Sequence, residues 1–347
     1  MTSVAVLALA AFTIATGHPA ERPDTAVFAA DHHMHISSPA AADRLSAFCK
    51  KTGRSTCKDL DTGPSFAADA LHALDEANIE RGVLLSTAYI AGSKEIATSP
   101  EQVTQDTRSE NTFVVQQAKA SRGRLVAFIS VNPLLPNALD EIAYWQQRSG
   151  ATGLKLHLAN SDVNFHSAED VRKLADVFRA AARAHFPIII HLRNRSPQYG
   201  ADDADIFIHQ VLPAASGDVV QIAHAAGWGG VDDHTLSALG AFADAFKANP
   251  TAMRNVYFDL AMVPDMPEKP ATAQQDEALV SLMRQIGVGR FVLASDWMKG
   301  IDLAAYYRNV QAKLPLSAAE WRTITSLEAP YLRANEHIHS AAERSLY

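Results

Sequence analysis

Eight short apolar runs recur along the chain, and a longer amphipathic stretch follows each one. The runs predict strands at Ala26–His33, Arg81–Ser86, Leu125–Ser130, Gly153–His157, Pro187–His191, Val219–His224, Asn255–Leu260 and Arg290–Ser295. Helices are expected at Phe66–Ala77, Glu101–Ala120, Ala138–Arg148, Ala168–Ala184, Asp202–Ala214, Thr235–Lys247, Ala273–Ile286 and Leu303–Lys313. In Ala168–Ala184 the residues Val171, Leu174, Ala175, Phe178 and Ala182 share one face, while Arg172, Lys173, Asp176 and Arg179 lie off it. A run such as PIIIH is apolar on both faces, as a buried parallel strand is. Eight strands, each followed by a helix, predict an α/β chain folded as a single closed (β/α)8 TIM barrel. A doubly wound open sheet would carry fewer strands or a Gly-rich phosphate turn after the first strand, and neither is found. Two connections are long, His35–Ser65 and the Pro-rich Met262–Thr272, and long βα loops belong to the active face of a barrel. Ser317–Tyr347 reads as one extra C-terminal helix and a tail over the barrel.

The 347 residues suit one barrel, assigned to 25–347. A formal net charge of −7, with no long basic run, argues against nucleic acid as a partner. The segment Val4–Thr16 is apolar but shorter than the roughly 20 residues that cross a bilayer. Followed by Gly17, His18, Pro19 and Ala20, it fits the apolar region of a secretory signal, although no Lys or Arg precedes it. Residues 1–24 are therefore expected to be a signal peptide and linker, and the chain to be periplasmic or secreted, free of the membrane after cleavage. Cys49 and Cys57 are the two cysteines. After export they would close a short disulfide loop; in a reduced compartment they would remain thiols.

The chemistry lies in where polar residues end the apolar runs. AADHHMH, PIIIH, VVQIAH and RFVLASD each finish in His or Asp. In a barrel the C-terminal ends of all strands meet at one mouth, so residues far apart in sequence become neighbours. His33 and His35 are two apart and share a strand face, with His32 and Met34 on the other. They form a two-point clamp for a metal, to which His191, His224 and Asp296 come from the fifth, sixth and eighth strands. Imidazoles with a carboxylate suit Zn²⁺ or a similar divalent ion such as Mn²⁺. Such an ion lowers the pKa of its water from about 15.7 toward about 7. Any one of these histidines alone would read as a hydrogen-bonded core residue; the coincidence of four strands carries the argument.

These motifs, DHHMH, GLKLHL, IIIHLR, QIAHAAGW and FVLASDWM, with the terminal YLRAN, resemble the amidohydrolase superfamily over roughly residues 30–335. Within it they look like the amidohydrolase-related branch that includes aminocarboxymuconate-semialdehyde decarboxylase. The resemblance implies one divalent metal on His33, His35, His191 and Asp296. It implies that His224 orients or polarises substrate or water, and that Asp296 is both ligand and proton acceptor. It also implies a metal-dependent hydrolase acting on an amide, lactone or ester, or alternatively a non-oxidative decarboxylase of an aromatic or muconate-type acid. A homodimer is implied only by the habit of the branch.

Lys155 shares a strand face with His157, and if the leucines of GLKLHL pack against helices it points into the barrel. In binuclear members of the superfamily the strand-four lysine is carboxylated and bridges two metals, whereas a single metal is usual in this branch. Lys155 is thus open to carboxylation, a substrate-binding role or a structural ion pair, and His157 to substrate contact. Arg193 and Arg195 follow His191 and would suit a carboxylate on a small substrate; surface salt bridges are the alternative. Asp259 could be an inward hydrogen-bond partner, Trp228 and Trp297 could wall the pocket or equally pack under a loop, and His32 is expected outward. A metal- or sugar-binding barrel without catalysis is disfavoured, since His224 and Asp296 supply proton-transfer groups that binding does not need.

Overall fold

The strands of the chain are β1 (Phe28–Met34), β2 (Ile79–Leu85), β3 (Leu125–Ser130), β4 (Ala151–His157), β5 (Ile188–His191), β6 (Val220–Ile222), β7 (Val256–Asp259) and β8 (Phe291–Val292). They hydrogen-bond in sequence order and every neighbouring pair is parallel. The structure, a computed structural model, describes residues 28–53, 63–263 and 270–333. β8 returns to β1 through single backbone bonds: the His32 N–H donates to Leu293 O (3.0 Å) and the His35 N–H to Trp297 O (2.7 Å). Together these form the expected TIM barrel.

The helices are α1 (Pro39–Thr52), α2 (Ala67–Glu76), α3 (Pro100–Ala120), α4 (Ala138–Gln146), α5 (Ala168–Arg183), α6 (Ala201–Ile206), α7 (Asp233–Ala248), α8 (Ala273–Ile286), α9 (Leu303–Lys313) and α10 (Ala318–Thr325). Outward strand residues and inward helix residues make one continuous apolar layer, including Leu154, Leu156, Phe178, Ile190 and Phe258. A second, smaller cluster fills the barrel: Ala30, Val83, Val126, Phe128, Ile189 and Val292, closed by Ala329, Tyr331 and Leu332. The segment after α10 therefore forms the floor of the barrel, at the end opposite the mouth.

Three expectations change. The loop expected at His35–Ser65 contains α1. Its signals are local: Ser38 Oγ accepts from Ala41 N (3.1 Å), Pro39 opens the first turn, and Gly53 ends the helix at φ +60°. The helix expected at Asp202–Ala214 breaks after α6 into a π turn (Phe207–Val211) and a 3-10 turn (Leu212–Ala215), where Pro213 offers no N–H. His32 is not outward. The pairing of β1 with β2 shifts register between Asp31 and Met34. That bulge turns both His32 and His33 into the barrel, His32 toward the floor beside Tyr331 and His33 toward the mouth. Cys57, residues 1–24 and part of the Met262–Thr272 connection lie outside the described residues. Among the described residues no helix is long and apolar enough to cross a membrane.

Candidate metal centre

The mouth brings together His33 from β1, His35 just past its end and Asp296 from the turn after β8. His33 Nε2 and His35 Nε2 are 3.2 Å apart, and each is 3.1 Å from Asp296 Oδ1. Donors held about 2.1 Å from one ion lie roughly 3.0–3.4 Å from one another, so the triangle has the size of a coordination edge. Among the described residues this is the one His/Cys/Asp/Glu group so gathered.

The outer ring nitrogens fix which lone pairs face inward. His35 Nδ1 lies 2.7 Å from Leu85 O; a carbonyl only accepts, so Nδ1 carries the proton and Nε2 is bare. His33 Nδ1 meets Asp259 Oδ2 at 3.1 Å with the same consequence. Asp259 is buried and saturated. Its Oδ2 also accepts from Gln221 Nε2 (2.8 Å), and its Oδ1 accepts from the backbone N–H groups of His224 (2.8 Å) and Ala261 (3.2 Å). Burial would raise this carboxyl, but His33 and His224 outweigh burial and hold it low. Asp296 is likewise raised by burial and lowered further by His33 and His35, to a net position well below the usual range.

The backbone is strained here. His224, Ala225 and Ala226 run left-handed at φ 56°, 50° and 68°, and Asp296 stands at φ 60°. Left-handed L-residues cost about 1–2 kcal/mol each. The Asp259–His224 bond and the Tyr199 hydroxyl donating to Ala226 O (2.7 Å) hold the turn. It ends β6 early and aims the His224 ring at the centre, 5.1 Å from the His33 ring and 4.9 Å from that of His191. His224 Nδ1 donates to Ala261 O (2.8 Å), leaving Nε2 bare.

Across the mouth, His157 and His191 stack at 4.0 Å and 10°. His191 Nε2 is buried without a hydrogen-bond partner. His191 stands next to the His33–His35–Asp296 group, through His224, rather than within it. Lys155 points inward as expected, 1% exposed, with Nζ 3.2 Å from His33 Nε2. Burial pulls its pKa down to about 8 against the pull of Asp259 and Asp296. Trp228 sets its edge on His191 at 5.2 Å, and with Arg193, Asn194, Arg195 and Ser196 it lines a cleft at the mouth. Both guanidinium groups have carboxylate partners: Arg193 pairs with Asp232 (2.9 Å), and Arg195 with Glu95 (3.0 Å) and Asp162 (3.1 Å). Trp297 packs into the outer apolar layer, its Nε1 donating to Ile301 O (3.1 Å), and does not line that cleft.

The amidohydrolase family profile matches residues 30–323. The chain belongs to the amidohydrolase family. No curated protein matches the sequence of this amidohydrolase. Among solved structures it is similar to 5-carboxyvanillate decarboxylase of Novosphingobium aromaticivorans, complexed with manganese and 4-hydroxy-3-methoxy-5-nitrobenzoic acid. The identity is 12% over 89% of this chain and 97% of that one, at TM-score 0.60. It is also similar to an amidohydrolase of Burkholderia multivorans with bound zinc (14%, 86% and 96%, TM-score 0.54). A third is a probable 2-pyrone-4,6-dicarboxylic acid hydrolase of Acinetobacter baumannii with bound citric acid (14%, 86% and 96%, TM-score 0.52). At such identities the likeness is one of fold.

Two residues of this amidohydrolase do more than their sequence signal suggested. Asp259, expected as an inward hydrogen-bond partner, is one, and it holds two sides of the site together. Gln221, inside VVQIAH, carried no signal beyond a polar residue in an apolar strand.

Proposed function

We propose that this amidohydrolase binds one divalent cation, zinc or manganese, on His33, His35, Asp296 and His191, and hydrolyses an amide, lactone or ester of a small carboxylated molecule. The observation that carries the reading is the 3.1–3.2 Å triangle of His33 Nε2, His35 Nε2 and Asp296 Oδ1. The buried, unpartnered Nε2 of His191 fits a fourth donor. When bound, the cation supplies Lewis acidity toward water or a substrate oxygen.

The chain's own groups account for the proton movements. Asp296, held ionised, would accept a proton from the attacking water at its carboxylate and return it to the leaving nitrogen or oxygen as the bond breaks. His224 is kept neutral by burial, and its bare Nε2 faces the centre, where it would accept a hydrogen bond from water or take up a proton. His33 Nε2 has a single lone pair, now met by Lys155 Nζ at 3.2 Å; with a cation held by His33, Lys155 would be free to pair with an acidic group of the substrate. His157, Trp228, Arg193 and Arg195 line the approach, where a flat carboxylated molecule would stack on the rings and meet guanidinium charge. The apolar run Val4–Thr16 supports work outside the cytoplasm, where hydrolysis suits better than intracellular decarboxylation.

The second reading, a non-oxidative decarboxylase of an aromatic acid, is favoured by the similarity to a 5-carboxyvanillate decarboxylase. One experiment separates the two. Zinc- or manganese-loaded protein is assayed against lactones, amides and hydroxybenzoates in ¹⁸O-labelled water. Hydrolysis puts label into the product acid. Release of CO2 without label uptake overturns the hydrolase reading in favour of the lyase.

A further inference from the structure

We infer that Tyr331 and Gln221 position the inward nitrogen of His33 through a buried hydrogen-bond relay that begins in the floor of the barrel. The Tyr331 hydroxyl donates to Gln221 Oε1 (2.5 Å), Gln221 Nε2 donates to Asp259 Oδ2 (2.8 Å), and Asp259 Oδ2 accepts from His33 Nδ1 (3.1 Å). Tyr331 is 5% exposed, His33 1%, and Gln221 and Asp259 are fully buried, so water does not substitute for any link.

Each link constrains the next. The Tyr331 ring is seated by Phe128 at 5.1 Å and His32 at 6.2 Å, contacts a phenylalanine could make. The hydroxyl is therefore surplus to filling the floor, and burying it is unfavourable without a partner. That partner is an amide with two possible orientations. A hydroxyl donating to Oε1 selects the one that turns Nε2 toward Asp259. The flipped amide would set oxygen against an ionised carboxylate. With Gln221 Nε2, His224 N and Ala261 N all donating to Asp259, the carboxylate stays a pure acceptor. It then holds His33 in the Nδ1–H form, whose bare Nε2 faces Asp296 and His35. Tyr331 and Gln221 touch neither substrate nor cation and act through His33.

The inference rests on the cation site proposed above, yet it also predicts the tautomer of His33 in metal-free protein. The test uses the full chain with Tyr331→Phe, Asp259→Asn, the double variant and Gln221→Met, which keeps the length without the amide. Zinc affinity is measured by competition with a chromophoric chelator, and histidine ring nitrogens are followed by ¹⁵N NMR in metal-free protein. Asp259→Asn is expected to weaken zinc by about 10–100-fold. Tyr331→Phe and Gln221→Met are expected to weaken it several-fold while still folding, with melting lowered by about a few degrees by the polar atom each leaves unpaired. The double variant should be no weaker than Asp259→Asn alone, because the relay is already cut. In metal-free Tyr331→Phe, the ¹⁵N pattern of His33 should move away from the Nδ1–H form. Wild-type zinc affinity with an unchanged His33 spectrum in Tyr331→Phe overturns the inference, as do penalties that multiply in the double variant. If the wild type takes up no stoichiometric zinc, the cation site falls, and the relay is then decided by the His33 spectrum alone.

Discussion

On the β1, β7 and β8 side of the mouth, the outer ring nitrogens of His33 and His35 are tied to Asp259 and to Leu85 O. On the β4 and β5 side, His157 and His191 lie face to face, and His191 Nε2 has no partner at all. The first side is preorganised: its lone pairs are aimed before any ligand arrives. The second is held by ring packing and by loop ion pairs such as Arg195 with Glu95 and Asp162, which leave His191 Nε2 available. The contrast separates two tasks. For the proposed cation, fixed donors suit the first side, while the unpartnered Nε2 of His191 on the second side suits a donor completed by what arrives, cation or substrate.

The largest effect should come from the fixed side. Asp296→Asn removes the proposed proton acceptor and is expected to cut turnover by roughly 10²–10⁴-fold. A variant keeping a tenth of wild-type turnover would break the comparison. Next is His191→Ala, expected to weaken zinc at least about tenfold and to suppress turnover while circular dichroism stays native. Zinc occupancy equal to wild type, read by metal analysis after dialysis, would move His191 wholly to the substrate side. Trp228→Ala should raise KM about fivefold with little change in kcat, the size of one lost aromatic contact at about 1 kcal/mol. A fall in kcat instead would draw Trp228 into the fixed side.

The smallest effect concerns the loops. Burial pushes Glu95 up, but the Ser93 hydroxyl and Arg195 outweigh it and hold its pKa at about 2. The folded value lies below the ordinary 4.5, so the contribution to stability is present above about pH 4.5 and is lost as pH falls toward 2. Solvent access at this site limits it to about 1 kcal/mol. Urea unfolding at pH 6 and pH 3 should show a shallower acid loss in Glu95→Gln than in wild type. Identical slopes would mean that the Arg195 pair does not tie the loops.

What could be read from the sequence follows from what has a period. Buried parallel strands and amphipathic helices repeat, so all eight β-strands and most of the surrounding helices were legible, as was the convergence of strand ends; α1 and the break after α6, set by local caps and Pro213, were not. The inward Lys155 followed from simple alternation. His32 did not, because the bulge between Asp31 and Met34 breaks the period of two. The short length of β6 was hidden too: nothing in AHAA announces three left-handed residues, which tertiary bonds from Asp259 and Tyr199 impose. Arg193 and Arg195 were legible as mouth residues, but their partners Asp232, Glu95 and Asp162 come from other loops. Trp297 follows Asp296 directly, yet the left-handed turn at Asp296 leaves its ring packed in the outer apolar layer.

The floor has a consequence for how the chain comes to its native state. Tyr331 and Leu332 pack on Ala30 and Val83, residues made some three hundred and two hundred and fifty positions earlier. On a ribosome the first half of the ring would emerge with its inner wall bare and wait for the last strand and for this segment. Contacts so distant along the chain make for slow assembly. A chain cut before residue 327 would have every strand and every proposed ligand, yet an open bottom through which water reaches the inner wall.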